Sequence, residues 1–383
     1  MSRHDFQIPV TFHHRVVFTR NAFHPENPAL ATLLHEGGGR RALVVLEEAV
    51  ATAWPNLTTE ITDYFTHIPI ACPTIQIMPG GEPIKADDRS VRDVWKSIDA
   101  AHLDRHSYML AIGGGAFLDA IGYAAATAHR GLRLIRFPTT TLAQDDSGVG
   151  VKCSINAFNK KNWIGTFAVP FAVINDFSFL HTQNEKTRRA GLIEAVKVAL
   201  VKDRTFFEWI ETHLDALAAL DPSILETCVE KSALLHVHHI AEGGDPFESG
   251  SSRPLDFGHW TAHKLEALSS YQLSHARAVA IGIALDTLYS TRSGMADASV
   301  TQRVFKILST LQLDIYHPAL DCRDPSGRRC VIDGLNEFRE HLGGDLTVLM
   351  LRDIGLCTEI HHLDQSLLDT CIDELHSLSQ SGT

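Results

Sequence analysis

The first half of the 383-residue chain alternates short apolar runs with longer amphipathic segments. The runs are rich in Val, Ile and Leu, and Gly, Pro or charged residues bound them. They comprise residues 42–47, 74–78, 108–112, 132–137 and 171–175. Because the intervening stretches are long enough for helices, the pattern predicts an α/β unit with a largely parallel sheet.

From about Lys186 the spacing of apolar residues becomes helical, and no strand pattern follows. The chain is about twice the usual length of one domain, which favours two domains. We therefore predict an α/β domain over residues 1–180 and an all-α domain over residues 181–383.

Composition excludes several classes of protein. The content of hydrophobic residues (44%) and charged residues (21%) is typical of a globular protein, and a net charge of −12 argues against a nucleic-acid partner. No apolar run is long enough to cross a membrane, and the N-terminus lacks the pattern of a signal peptide. Seven dispersed cysteines without a CxxC pair are typical of reduced thiols. We expect a cytoplasmic protein that binds neither nucleic acid nor membrane.

A glycine-rich turn follows the third apolar run, in "YMLAIGGGAFLDAIGYAAA". Glycines let the backbone approach a phosphate, and the helix that follows offers free N–H groups, although a tight turn without a ligand would look the same. Glu47 ends the first apolar run, where an acidic residue commonly binds a ribose hydroxyl. Together the two features predict a Rossmann-like, dinucleotide-binding domain.

Residues 136–167 lack apolar periodicity, so we predict a long functional loop there. The region around it carries more basic than acidic residues, although the whole chain is acidic. The basic residues are Arg130, Arg133, Arg136, Lys152, Lys160 and Lys161, and the acidic residues are Asp145 and Asp146. This excess favours a phosphorylated substrate over a solvated surface loop.

Two groups of residues suggest a metal site. Glu194 and Lys197 share a helix face, as a surface ion pair or as a buried functional pair. His259 and His263 lie one turn apart and could bind a metal with Glu194, a set that local spacing favours. His259, His275 and Glu194 form a competing set that would leave His263 for the substrate. Three further histidines are more typical of core or surface positions: His236, His238 and His239.

Four motifs occur between Gly81 and Ala284, and in this order they resemble the dehydroquinate synthase family of sugar phosphate cyclases. They are "GGGAFLDAIGYAAATAHRG", "PTTTLAQDDSGVGVKCSINAFNKKNWIGTF", "AGLIEAVKVALVKDRTFFEW" and "LDFGHWTAHKLE" with "HARAVAIGI". The resemblance implies an NAD-binding α/β domain, a helical domain, a zinc ion and a homodimer. It also implies an oxidation, elimination of phosphate, a reduction and an intramolecular aldol closure, with NAD recycled.

The resemblance also implies roles for single residues. The zinc ligands, or cobalt ligands, would be Glu194, His259 and His275 rather than the pair one turn apart. The residues that match NAD-binding positions are Glu47, Lys85, Gly114, Gly115, Asp119, Thr139, Thr140 and Thr182. The residues that match substrate positions are Asp146, Lys152, Lys161, Asn162, Lys197 and His263, with Arg130 reaching the phosphate held by the neighbouring subunit.

The chain departs from dehydroquinate synthases at three positions, two of which contact the substrate in that family. Ser252 stands at an arginine that pairs with the substrate carboxylate, Asp256 at an asparagine, and His236 at a lysine. A serine cannot make a bidentate charged contact, and Asp256 makes an anionic group less welcome. Arg253 would compensate only if its loop shifted. Further along, Arg277 replaces a glutamate, and Arg339 or His341 would have to replace the C-terminal phosphate motif.

These departures predict a substrate without a carboxylate. Sedoheptulose 7-phosphate fits, with a valiolone-type C7 cyclitol as product. The branch that makes 2-epi-5-epi-valiolone has Pro at His263 and Ala at Asp256, so we favour 2-epi-valiolone. Dehydroquinate synthase is the first alternative. A metal-dependent NAD polyol dehydrogenase is disfavoured by the basic residues at 152–162, and a non-catalytic scaffold by the intact metal set.

Overall fold

The computed structural model describes residues 1–158, 160–247, 254–341 and 346–380. Its contacts divide the chain into two compact units. The first unit comprises residues 1–139 and 150–178, and the second comprises 140–149 and 179–383. Residues 140–149 therefore pack with the second unit, although they precede the predicted boundary at 180/181.

A six-stranded, all-parallel sheet forms the core of the first unit, with strand order β1-β8-β5-β4-β2-β3. The strands are β1 (Val16–Thr19), β2 (Ala42–Glu47), β3 (Thr74–Met78), β4 (Tyr108–Gly113), β5 (Arg133–Pro138) and β8 (Ala172–Asp176). Each of the five predicted strands occurs within one residue of its predicted bounds. The short edge strand β1 was missed because its four residues are only half-buried and show no alternation.

The first unit contains several of the helices that connect these strands. They are α1 (Pro28–Gly37), α2 (Glu48–Ala53), α3 (Leu57–Thr66), α4 (Arg89–Ala100) and α5 (Gly115–Thr127). Local sequence explains α1 well. The side chain of Asn27 caps its first turn, Pro28 occupies the first helical position, and Gly38 ends it at φ 67°.

The prediction of a long loop at 136–167 is wrong. After β5 comes a short helix, α6 (Thr141–Asp145), and then the antiparallel hairpin β6 (Lys152–Ala157) and β7 (Lys160–Phe167). The pattern was missed because the buried centre of β6 contains small residues, Cys153 and Ser154, beside Ile155. Cys153 can approach α5 closely since residue 122 is glycine: a Cβ there would lie 3.1 Å from the Cβ of Cys153.

The second unit is predominantly helical, as predicted. Besides α6 its helices are α7 (Glu185–Gly191), α8 (Ile193–Lys202), α9 (Arg204–Thr212), α10 (Leu214–Ala218), α11 (Pro222–Glu242), α12 (His259–Leu268), α13 (His275–Arg292), α14 (Ala298–Thr310), α15 (Asp333–His341) and α16 (Gln365–Gln380). A hairpin that the sequence did not predict, β9 (Val348–Asp353) with β10 (Leu356–Ile360), completes it. Helices α8 and α13 are buried on nearly all sides, which explains their apolar residues around the whole circumference. Within the described ranges, no helix has the length and apolar character needed to cross a bilayer.

A buried carboxylate joins α13 to the start of α12. Asp286 accepts hydrogen bonds from the Gly258 N–H and from the Trp260 indole N–H, both at 2.9 Å. The helices are very close here, because a Cβ on Gly282 would lie 2.0 Å from the Gly258 carbonyl oxygen. Burial raises the pKa of Asp286 to about 7, and the two hydrogen bonds only partly oppose it. This contact fixes the first turn of α12, where His259 lies.

We expect Asp286→Asn to destabilise the protein more at pH 5 than at pH 8. The folded pKa of about 7 exceeds the ordinary value of 3.8, so the native carboxyl holds its proton more tightly than the unfolded one. Its contribution to the free energy of unfolding is complete below pH 4 and is lost as pH rises through 7. The free energy of unfolding of the Asp286→Asn protein lacks this dependence on pH. Its difference from the wild-type value therefore becomes smaller as pH rises.

Urea unfolding midpoints of both proteins at pH 5 and pH 8 measure this. Asp93→Asn, the same change on a half-exposed carboxylate of α4, is the control and should show no comparable trend. An Asp286→Asn gap that is constant or widens with pH would contradict the assignment.

Candidate active site

Three potential metal ligands converge in the second unit, each at the start of a helix. Glu194 lies in the first turn of α8, His259 begins α12 and His275 begins α13. Ligand atoms of all three lie within 4.8 Å of one another. The Nε2 atoms of His259 and His275 are 3.9 and 3.8 Å from Oε1 of Glu194. These separations are too long for hydrogen bonds and leave room for an ion among the three atoms.

The other ring nitrogen of each histidine has its own partner. Nδ1 of His259 lies 3.1 Å from the carbonyl oxygen of Phe257, and Nδ1 of His275 lies 3.2 Å from a carboxylate oxygen of Glu266. These contacts direct both Nε2 atoms towards Glu194. Burial, followed by the charges of Lys197 and the neighbouring histidines, lowers the pKa of His259 well below its usual value. The ring is therefore neutral, which is the form that binds a metal.

Two imidazoles and one carboxylate form the donor set typical of a catalytic zinc site, with a fourth position open for substrate. This set fits a divalent metal. The pair one turn apart does not: among the described residues, His263 joins His275 and Glu266 in a second potential cluster, and not Glu194 with His259. The ring of His263 stacks near that of His275, with centroids 6.0 Å apart.

The Glu194–Lys197 pair is buried, so its interpretation as a surface ion pair is wrong. The two charged groups are 2.5 Å apart, and their side chains are 0% and 2% exposed. Burial lowers the pKa of Lys197, but the carboxylates of Glu194, Asp146 and Asp256 outweigh it, so that the net shift is upward. Lys197 therefore provides a fixed positive charge beside the three ligands.

A second polar pair lies in the same unit. Asp146 follows α6, and its carboxylate is 3.2 Å from Nδ1 of His236, a buried residue of α11. The neighbouring carboxyl of Asp145 is fully buried. Burial raises its pKa well above the ordinary value, and the charges of Asp146 and Glu194 add to the effect. The Asp145 carboxyl is therefore harder to ionise than that of an exposed aspartate.

In the first unit, Glu47 organises the glycine-rich turn. Its carboxylate accepts hydrogen bonds from the N–H groups of Gly114 at 2.7 Å and Gly81 at 2.9 Å. It thereby joins the carboxyl ends of β2 and β4, where the sheet order reverses and where dinucleotides usually bind. Gly113 is required for packing, since a Cβ there would lie 2.5 Å from the ring of Phe117. Ribose binding by Glu47 stays a prediction.

Residues predicted for separate NAD and substrate sets form one network in the first unit. The buried Lys85 pairs with Asp119 at 2.6 Å and also donates to the side-chain oxygen of Asn162. Lys161 lies 3.6 Å from the carboxylate of Glu82, which precedes Lys85 in the same turn. The network therefore attaches the β6–β7 hairpin to the edge of the sheet where the glycine-rich turn lies.

Two of the six basic residues that favoured a phosphorylated substrate are structural. Arg136 is fully buried and donates to the carbonyl oxygens of Gly150 at 2.8 Å and Lys152 at 3.0 Å. Arg133 donates to the carbonyl oxygens of Gly37 and His106. The charge argument therefore depends on the remaining four residues: Arg130, Lys152, Lys160 and Lys161.

The remaining predicted NAD residues fall in both units. Gly115 begins α5, and the buried Thr139 donates its N–H to the carbonyl oxygen of Gly113 at 3.0 Å, both in the first unit. Thr140 and Thr182 belong to the second unit. Thr140 caps α6 by accepting from Ala143, and Thr182 donates to the carbonyl oxygen of Phe179 at 2.7 Å. NAD contacts by these residues stay predictions.

The positions that depart from the family are only partly described. Asp256 ends a short 3-10 turn and lines a small cavity with Thr347 and Glu359. Ser252, Arg253 and the side chain of His341 lie outside the described residues, and Arg339 is exposed. Arg277 pairs with Asp314.

Sequence analysis missed two residues of the site, Asp145 and Glu266. Glu266 follows His259 by seven residues, which is two helical turns, so a search for carboxylates on that face would have found it. Asp145 gave no comparable signal, because its burial depends on helices that are distant in sequence.

Two family models match the chain in succession: the N-terminal model of 3-dehydroquinate synthase over residues 75–190 and its C-terminal model over 191–326. A 2-epi-5-epi-valiolone synthase of Streptomyces glaucescens is 30% identical over 379 residues, covering 99% of this chain and 94% of the relative. A 3-dehydroquinate synthase of Psychrobacter cryohalolentis is 32% identical over 356 residues, covering 92% of each chain.

A solved structure gives the same relationship. The 2-epi-5-epi-valiolone synthase ValA of Streptomyces hygroscopicus subsp. jinggangensis, with NAD⁺ and Zn²⁺ bound, superposes with a TM-score of 0.88. The two sequences are 25% identical, and the match covers 98% of this chain and 100% of ValA. With the fold, the two family models and these relatives in agreement, the chain belongs to the dehydroquinate synthase-like family of sugar phosphate cyclases and is an enzyme of that family.

Proposed function

We propose that the protein uses NAD and a divalent metal to convert sedoheptulose 7-phosphate into a valiolone-type C7 cyclitol, with 2-epi-valiolone as the favoured product. The phosphate would leave as inorganic phosphate by β-elimination, and an intramolecular aldol reaction would close the ring. Because the hydride removed at the start returns later, the reaction has no net redox change.

The donor set of Glu194, His259 and His275 supports the metal, and its ValA relative carries NAD⁺ and Zn²⁺. Cobalt would suit the same three ligands. When bound, the metal would act as a Lewis acid on substrate oxygens while NAD accepts and returns the hydride. NAD would bind at the edge of the sheet formed by the glycine-rich turn and Glu47.

The chain's own side chains would then handle charge and protons. Lys197, held beside Glu194, would stabilise negative charge that develops on a substrate oxygen. The Asp146–His236 pair, 3.2 Å apart, would accept or donate a proton at a neighbouring hydroxyl. Lys152, Lys161 and Asn162 would bind the phosphorylated substrate, as their positions in the family imply.

The substrate assignment depends mainly on Asp256. Its carboxylate lies close enough to Lys197 to raise the pKa of that lysine. Dehydroquinate synthases have a neutral asparagine at this position, so this chain adds a negative charge that would repel an anionic group of the substrate. A ketose with a neutral hydroxymethyl group avoids that repulsion.

We also propose a homodimer. Arg130 matches the family arginine that reaches the phosphate of the neighbouring subunit's substrate. It lies at the surface of the single chain, at φ 64°, directly before Gly131. An exposed arginine at this turn is available to a second subunit.

Phosphate release by the purified protein, supplied with NAD⁺ and Zn²⁺, tests the substrate. We expect release from sedoheptulose 7-phosphate and none from the sugar-acid phosphate that is the precursor of dehydroquinate. Release from the acid alone would identify a 3-dehydroquinate synthase, the alternative favoured by relatives that are 31–36% identical. Net NADH from an unphosphorylated polyol would identify a polyol dehydrogenase instead.

A second prediction concerns the basis of that preference. The double variant Ser252→Arg, Asp256→Asn restores the residues that dehydroquinate synthases have, so we expect it to gain phosphate release from the sugar acid. The single Asp256→Asn variant should gain less, because it removes the repulsion without supplying a bidentate cation. If neither variant accepts the acid while both still release phosphate from the ketose, carboxylate exclusion depends on other residues.

The metal ligands are tested by Glu194→Gln. We expect the zinc content to fall from one ion per chain to near zero, since an amide oxygen is a much weaker ligand than a carboxylate. Metal analysis after dialysis measures this, with Glu208→Gln on the half-exposed surface of α9 as the control. Stoichiometric zinc in the Glu194→Gln protein would refute the ligand assignment.

A further inference from the structure

We propose that Glu266 is a positioning residue of the metal site: its buried carboxylate holds the His275 ring so that Nε2 faces Glu194. This inference rests on the proposed metal site and adds a residue to which the resemblance assigned no role. It predicts that Glu266 acts through His275 and is not itself a ligand.

The contact has the geometry of a carboxylate that orients a histidine ligand. Oε2 of Glu266 lies 3.2 Å from Nδ1 of His275, and the Glu266 side chain is only 4% exposed. In the arrangement we propose, the carboxylate oxygen accepts and Nδ1 of His275 donates its hydrogen. The lone pair of the ring is then on Nε2, which lies 3.8 Å from Glu194. Such outer contacts fix the tautomer of a metal-binding histidine and make it more basic.

The turn between α12 and α13 supports the same arrangement. The backbone carbonyl of Glu266 accepts from the Tyr271 N–H at 2.8 Å and from the Ser269 hydroxyl at 3.0 Å. Ser270 and Tyr271 both adopt positive φ angles, 52° and 60°, which return the chain towards α12. Glu266 therefore holds the turn with its main chain and the first residue of α13 with its side chain.

A competing assignment makes Glu266 a ligand. His263, Glu266 and His275 also lie close enough together to bind an ion. Both clusters contain His275, but they predict opposite effects on metal binding when one of the two carboxylates is removed. If the second cluster binds the metal, loss of Glu266 abolishes binding and loss of Glu194 does not.

The experiment measures Zn²⁺ affinity of the full chain by competition with a chromophoric chelator, and the visible spectrum after Co²⁺ replaces Zn²⁺. Glu266→Gln keeps a neutral acceptor, so we expect one metal per chain with the affinity reduced about 10-fold, and about 100-fold for Glu266→Ala. The Co²⁺ bands should shift in both variants while retaining the intensity of a four-coordinate site. A merely structural role would not move these bands.

The matched control is Glu337→Gln, which removes the charge of an exposed carboxylate of α15. Glu337 pairs at 2.6 Å with Lys264, a residue of α12, the helix that also contains Glu266. Glu337→Gln should leave affinity and spectrum unchanged. Melting temperatures of the metal-free proteins identify any variant that fails to fold, and Glu266→Gln, the isosteric change, then decides the question.

Two results would overturn the proposal. Wild-type affinity and spectrum in Glu266→Gln and Glu266→Ala would mean that the contact does not orient His275. Loss of all metal from Glu266→Gln, with metal retained by Glu194→Gln, would make Glu266 a ligand. Neither measurement uses a sugar phosphate, so failure of the substrate assignment would leave this inference unaffected, and loss of metal from Glu194→Gln tests the metal site separately.

Discussion

The second unit depends on the burial of one carboxylate, Glu194. Removing a charge from water costs on the order of several kcal/mol unless opposite charge and hydrogen bonds replace the lost hydration. Lys197 supplies the first compensation, one turn along the same helix. The imidazoles of His259 and His275 surround the other side, and a bound cation would complete the neutralisation. Three helices must therefore begin at one point, which constrains how α8, α12 and α13 pack.

The starts of α12 and α13 are fixed by polar contacts rather than by the apolar core alone. Asp286 holds the residues on either side of His259, while Glu266 holds His275. Close approach at Gly258 and Gly282 allows the two helices to meet without intervening side chains. Because buried polar groups destabilise a fold unless they are satisfied, these contacts favour one helix register over others. The three candidate metal ligands therefore gain rigid positions from residues outside their own set.

Glu47 has a comparable role in the first unit. A phosphate-binding turn would offer the N–H group of Gly114 to its ligand. Here that N–H group already donates a hydrogen bond to the carboxylate of Glu47. The carboxylate is thus part of the architecture of the turn, whatever it also contributes to a nucleotide. Lys85, Asp119 and Asn162 extend the polar contacts to the β6–β7 hairpin. Residues that the resemblance assigns to NAD and to the substrate are therefore joined by an ion pair and a hydrogen bond within the first unit.

Sequence alone determined the parallel sheet, the helical second half and the family, because apolar periodicity and contiguous motifs are local properties of the chain. Local spacing favoured His259 with His263, because two histidines one helical turn apart can bind the same metal, whereas a pair 16 residues apart gives no local signal. In the tertiary structure the first turn of α13 lies beside α8, which groups His275 with Glu194 and His259. The tertiary structure also determines that Arg133 and Arg136 donate hydrogen bonds to backbone carbonyl oxygens and that Asp145 is buried. Such environments arise from elements distant in sequence, and no local pattern records them.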